Sequence, residues 1–229
     1  MLNFFWGFLA IVKIHEGNLY TASWFIILAV LSDGMDGKLA RWTGSETRFG
    51  TELDSLADIL STGIAPAFLI YADRLHRLSI LGFLLSFVFV IAGGYRLARF
   101  NVQQAGNRSH GYVGLPIPVA GMTIAAFYLF QNHFEIDMGQ VIPMIVVCIL
   151  ALMMVSTVHY DWPKLYFTNG FLKGVQSAGL LIAVMFMAVQ PQISLFPLLV
   201  LYIVLGLTHW VIALAKGEVQ LSELFVPIK

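Results

Sequence analysis

Four aspartates, Asp33, Asp36, Asp54 and Asp58, fall within 26 consecutive positions of a chain that is 59% hydrophobic and only 11% charged. The stretch reads SDGMDGKLARWTGSETRFGTELDSLADIL, residues 32 to 60. On a helix, Asp33 and Asp36 are three apart and Asp54 and Asp58 four apart, so each pair projects from one face. A short turn between two helices brings those faces together. Carboxylates gathered beside an apolar medium repel one another and lose hydration, and hard divalent cations such as Mg2+ or Mn2+ relieve both. Two such ions clamp the attacking and leaving oxygens of a displacement at phosphorus. The chemistry expected is therefore phosphoryl transfer on a diphosphate. Gly34, Gly37, Ala40 and Gly50 lie between the acids, where a missing side chain lets a diphosphate approach the backbone, and Lys38 and Arg41 meet negative charge. Glycine and alanine also serve as close-packing positions between membrane helices, so they carry weight here only beside the acids.

The elements that hold these residues belong to a membrane protein. A mean hydropathy of +0.81 over 229 residues is too apolar for a soluble globule, and the length suits one polytopic catalytic domain over residues 1–229. Apolar runs predict an all-α fold of about eight spans, near residues 2 to 14, 19 to 35, 54 to 72, 78 to 98, 116 to 133, 140 to 157, 171 to 189 and 193 to 214. The second span runs on as helix through the basic end, TGSE supplies a turn, and Thr51 or a neighbour is expected to cap the third span. The opening MLNFFWGFLAIVK lacks a basic start and a cleavage site, so it reads as a short first span and not as a removable signal peptide. With both termini on one side, ten of the 13 Lys and Arg share that side and only Lys13, Arg74 and Arg77 face the other. The positive-inside rule then puts the termini and the aspartates in the cytoplasm. A net charge of zero gives no sign of a nucleic-acid partner, and the single cysteine, Cys148, reads as a small buried residue.

The residues also carry a family pattern. Asp36, Gly37, Ala40, Arg41, Gly50, Asp54 and Asp58 fit D-G-x2-A-R-x8-G-x3-D-x3-D without a gap, with Asp33 as the additional upstream acid. In this the chain resembles the CDP-alcohol phosphotransferases. The resemblance implies an integral membrane homodimer with a six-helix core that transfers a phosphatidyl or related group from a CDP-linked lipid to an alcohol, releasing CMP. It assigns Asp33, Asp36, Asp54 and Asp58 to a two-ion Mg2+ or Mn2+ site, Asp58 also to the general base, and Gly37, Ala40, Arg41 and Gly50 to the CDP-lipid pocket. The base role is chemically sensible, because an alcohol is a poor nucleophile until a carboxylate takes its proton.

A second region bears on the acceptor alcohol. GGYRLARFNVQQ and GYVGLPIPVAG, within residues 93 to 121, together with STGIAPA at 61 to 67, are similar to the membrane-bound phosphatidylserine synthases within that family. The resemblance implies CDP-diacylglycerol as donor and L-serine as acceptor. A zwitterion asks for a cation and hydrogen-bonding groups, and Arg96, Arg99 and Asn101 are the expected acceptor residues. Arg96 lies deepest, where an unpaired cation is most expensive. Pro116 and Pro118 are expected to break the helix start there. The rival acceptors are glycerol 3-phosphate and inositol phosphate, which call for more cationic groups, and choline, which calls for an aromatic cage. An ether-lipid donor meets the same apolar helices as a diacyl one. A cation channel or transporter would spread its acids over several spans near the midplane, whereas here all four sit in one hairpin. The six histidines are scattered, with no pair at metal-ligand spacing.

Overall fold

The computed structural model describes residues 2–43, 48–105, 114–158 and 189–215, the side chains of 38–43, 48, 104–105 and 213–215 excepted. The expected apolar runs are helices: α1 (Leu2–His15), α2 (Leu19–Thr43), α3 (Arg48–Asp58), α4 (Ala65–Asp73), α5 (Ile80–Ala105), α6 (Ile117–His133), α7 (Val141–Val155) and α8 (Pro191–Ala215). No strand occurs among the described residues. The expected span at 171 to 189 lies almost wholly outside them, as do Arg108, His110, His159, Lys164, Lys173, Lys216 and Lys229.

Among the described residues, three helices are long and apolar enough to cross a membrane: Phe49–Asp73, Ile80–Gln103 and Pro191–Ile212. Their lengths of 25, 24 and 22 residues correspond to roughly 33 to 38 Å at 1.5 Å per residue, against about 30 Å of hydrocarbon. Ile80, Phe83, Leu84, Phe87, Val88 and Ile91 leave an exposed apolar stripe along α5 that water would not tolerate and lipid tails do. The protein is integral to the membrane. Helix α6 lies at the centre, against α2, α4 and α8, with Ile117, Ala120, Ile124, Phe127 and Leu129 buried. Pro118 falls within its first turn, where a missing N–H does no harm, as the sequence suggests.

The third span is one rod with a fault in it. Between α3 and α4, residues Ile59–Ile64 widen into a π-helical turn, and the Ala65 N–H reaches back to the Leu60 carbonyl. Pro66 has no N–H to give to a carbonyl four residues back, so the regular ladder cannot continue there. The Ser61 and Thr62 hydroxyls donate instead to the carbonyls of Ala57 at 2.9 Å and Asp58 at 2.7 Å. Gly7 of α1 and Gly121 of α6 grip the wide turn from two sides. A Cβ at Gly7 would stand 2.6 Å from that of Ser61, and one at Gly121 would overlap the Thr62 carbonyl.

Two sequence expectations are corrected. Helix α3 begins at Arg48, so Thr51 lies inside it and accepts a hydrogen bond from Ser55 instead of capping. Cys148 is half-buried, because its side of α7 is not fully covered. At the far end of the third span, Gln131 donates to Asp73 at 2.6 Å and Arg74 donates to Asp137 at 2.8 Å. The backbone N–H of Gly139 and then the Arg74 charge hold the exposed Asp137 carboxyl below the ordinary carboxylate value.

Candidate active site

The α2–α3 hairpin and the first turn of α1 bring the acids together. Asp33 and Asp36 come from the C-terminal half of α2, and Asp54 and Asp58 from the last turns of α3, just before the π turn. The Asp33 and Asp54 carboxyl groups reach hydrogen-bonding distance, Asp36 lies close enough for its charge to act on both, and Asp58 feels Asp33 and Asp54. All four aspartates expected at the site therefore converge. Asp33, Asp36 and Asp58 are half-buried and Asp54 is exposed.

Asn3, only 1% exposed, was not singled out by the sequence reading. Its Nδ2 donates to Asp58 Oδ1 at 2.9 Å and to Asp33 Oδ1 at 3.3 Å. The available signal was a lone carboxamide at the head of the apolar run NFFWGFLAIV, since a polar group inside such a run is costly unless partnered.

The glycines expected near a nucleotide divide by environment. Among the described residues, Cβ atoms at Gly34 and Gly37 would meet nothing within 4 Å, so no packing contact within them accounts for these glycines. That leaves open backbone beside the acids. Gly50 is exposed on the first turn of α3, and the side chains of Ala40 and Arg41 lie outside the described residues.

Arg96, Arg99 and Asn101 line the same end of α5 but have different neighbours. Arg96, 5% exposed, places its charge near Asp58 and its guanidinium carbon 5.1 Å from the centre of the Phe100 ring. Arg99 donates to the carbonyls of Met154, Val155 and Ser156 at 3.3, 3.1 and 3.1 Å, which are orphan acceptors at the end of α7. Asn101 donates to Ser55 Oγ at 2.9 Å, tying α5 to α3. Gly114 adopts φ +79°, donates its N–H to the Val158 carbonyl, and leaves no room for a Cβ against Arg99 and the Met154 carbonyl. The GLP stretch is thus knitted to the end of α7.

Carboxylate oxygens from two helices are the donor set that Mg2+ or Mn2+ prefers, and their mutual approach is unfavourable without a cation or proton between them. The residues fit a divalent ion in that sense. Among the described residues no three His, Cys, Asp or Glu side chains already stand at ligand spacing, so closing on an ion calls for side-chain rotation, most easily at exposed Asp54. A cavity of about 260 Å3 lined by Asp73, Arg74, Tyr128 and Gln131 lies at the opposite end of the third span. It is some 22 Å of helix from Asp58, too far to take part in chemistry there.

Comparison with known proteins decides among the chemistries this cluster allows. A sequence profile of the CDP-alcohol phosphatidyltransferase family matches residues 1–159. The chain belongs to that family. A CDP-diacylglycerol–serine O-phosphatidyltransferase of Helicobacter pylori (strain J99) is 28% identical over 214 residues, covering 93% of this chain and 89% of the relative. The Bacillus subtilis (strain 168) protein of the same name is 33% identical over 158 residues, 69% of this chain and 84% of the relative. An archaetidylserine synthase of Methanothermobacter thermautotrophicus is 40% identical over 162 residues, 70% of this chain and 66% of the relative. The protein is an enzyme of the CDP-alcohol phosphotransferase class, and the family generally works with divalent metal.

Proposed function

We propose that the chain, acting as one catalytic domain, transfers the phosphatidyl group of CDP-diacylglycerol to L-serine, giving phosphatidylserine and CMP. The observation that carries this reading is the convergence of Asp33, Asp36, Asp54 and Asp58 in a family member whose relatives are named for serine as acceptor. In the reaction the serine hydroxyl oxygen forms a bond to the lipid-bearing phosphorus, and the bond from that phosphorus to the CMP oxygen breaks. The hydroxyl proton passes to Asp58, the most enclosed of the two α3 acids. The four aspartates would hold two Mg2+ or Mn2+ ions, which when bound neutralise the diphosphate and the departing CMP phosphate. Gly37, Ala40, Arg41 and Gly50 take the cytidine diphosphate, with open backbone at Gly37 supporting that placement.

Arg96 is the best placed of the three acceptor residues to meet the serine carboxylate. It is buried, charged and close to Asp58, so a carboxylate held there keeps the hydroxyl of the same small molecule near the base. Arg99 and Asn101 support it from behind, by fixing α7 and α3 to α5. The active site faces the cytoplasm on the charge bias of the loops, and the working unit is a homodimer, as the family resemblance implies. The 40% identity to an archaetidylserine synthase favours an ether-linked donor as the second reading, with serine common to both.

The test is CMP release by purified protein in detergent, with diacyl and ether CDP-lipids offered against serine, glycerol 3-phosphate, inositol phosphate and choline. Release with serine and divalent metal, lost on chelation and reduced about 10^2- to 10^4-fold in Asp58→Asn, is expected of a general base. Release with a different acceptor would overturn the serine assignment, and full activity in Asp58→Asn would overturn the base.

A further inference from the structure

We infer that Asn3 is a positioning residue of the active site, holding the Asp33 and Asp58 carboxylates in the arrangement that takes up divalent metal and orients the base. The inference deepens the proposed function and rests on those aspartates being metal ligands. Asn3 is almost fully buried and stands on a third helix, outside the α2–α3 hairpin that carries all four acids. Its two amide hydrogens go to one oxygen each of Asp58 and Asp33, residues 25 positions apart on different helices. The carboxamide turns its NH2 toward the acids, where a carboxyl oxygen of each accepts.

The other end of the side chain argues against a packing role. Among the described residues, Asn3 Oδ1 is buried with no hydrogen-bond partner. A buried acceptor left unmade is destabilising by about 1 to 3 kcal/mol, so a carboxamide kept only to join helices would be expected to satisfy both ends. This one satisfies only the end that faces the acids. The helix that delivers it is fixed closely: Gly7, one turn on from Asn3, lies against Ser61 at the π turn, and Ala10 and Ile14 extend the same buried stripe. Asn3 therefore locks one oxygen of each carboxylate and leaves the other for an ion or a substrate proton. Partners that hydrogen-bond metal ligands in this way typically change metal affinity 10- to 100-fold when removed.

The experiment measures Mn2+ binding by electron paramagnetic resonance, without donor or acceptor, in wild-type protein, Asn3→Ala and Asn3→Ser, alongside kcat, KM and melting temperature. The expected result is Mn2+ affinity weakened tenfold or more and kcat reduced, with the KM for serine changed less than about threefold. A lower melting temperature with Mn2+ affinity and kcat unchanged would show a purely structural role and overturn the inference. Absence of Mn2+ binding by the wild type would overturn the metal reading itself and the inference with it. Should neither variant fold, wild-type protein labelled with 15N-asparagine decides: the Asn3 side-chain amide must shift when Mg2+ is added, and an unmoved resonance refutes the role.

Discussion

Arg99→Lys separates a scaffold arginine from a substrate arginine. Its guanidinium spans three carbonyls, those of Met154, Val155 and Ser156, at 3.1 to 3.3 Å. A lysine ammonium is a point donor on a flexible stem and can keep about one of the three. Two charge-assisted bonds to buried or part-buried carbonyls are then lost, each worth roughly 1.5 kcal/mol at the low end, for about 3 kcal/mol in all. At about 2 to 4 °C per kcal/mol for a chain of this size, the melting temperature should fall by roughly 6 to 12 °C. The folded fraction should retain its KM for serine within about threefold. Differential scanning fluorimetry and acceptor titration of the same detergent preparation read both quantities. A tenfold or greater rise in serine KM, which is about 1.4 kcal/mol of lost binding, with an unshifted melting temperature would refute the scaffold reasoning and return Arg99 to the acceptor pocket.

The glycines give a paired prediction, because Gly121→Ala drives a methyl into the Thr62 carbonyl whereas Gly37→Ala places one in open space. The first should destabilise by about 1 to 3 kcal/mol and lower kcat through the adjoining Asp58, while the second should leave the melting temperature unchanged or higher and raise the KM for CDP-lipid; equal effects would sink the contrast. Asp137 has a lowered folded value, so its contribution to stability is present above the ordinary carboxylate value of 3.8 and fades as pH falls through the lower folded one. The melting temperature of Asp137→Asn should therefore lie slightly below wild type at pH 7, and the gap should narrow as pH falls below 3.8; a gap that widens on acidification would reverse the sign.

Much of this was legible in the sequence, and for identifiable reasons. Apolar runs must become helices in lipid because no other local structure satisfies every backbone group, so α1, α6, α7 and α8 match the apolar runs to within about two residues, whereas α2 and α5 continue as helix beyond theirs, to Thr43 and Ala105. The i, i+3 and i, i+4 spacing of the acids fixes their faces, and all four meet. The wide turn at Ile59–Ile64 was not legible, since it arises from Pro66 acting together with grips from Gly7 and Gly121, residues more than 50 positions away. The partners of Arg99 and Asn101 are likewise set by the register of α5 against α7 and α3. A basic residue at a helix end looks the same in sequence whether it meets a substrate or the end of a neighbouring helix.

In an apolar medium the buried polar side chains sort themselves by what satisfies them. Ten lie buried among the described residues, and six of these, Ser23, Ser61, Thr62, Ser86, Thr123 and Ser194, donate to the carbonyl four residues back on their own helix. Such hydroxyls need no outside partner and carry no message about function. The other four, Asn3, Arg96, Arg99 and Gln131, are too long to be absorbed that way and must reach elsewhere. Arg99 and Gln131 reach the scaffold, at the end of α7 and at Asp73. Asn3 and Arg96 come from helices on either side of the hairpin, and both bear on Asp58, one by hydrogen bond and one by charge. A donor and a cation directed at the same half-buried carboxylate offset part of the cost that burial and the neighbouring Asp33 and Asp54 impose on its charge. The surroundings of Asp58 thus meet a chemical demand that packing alone would not create.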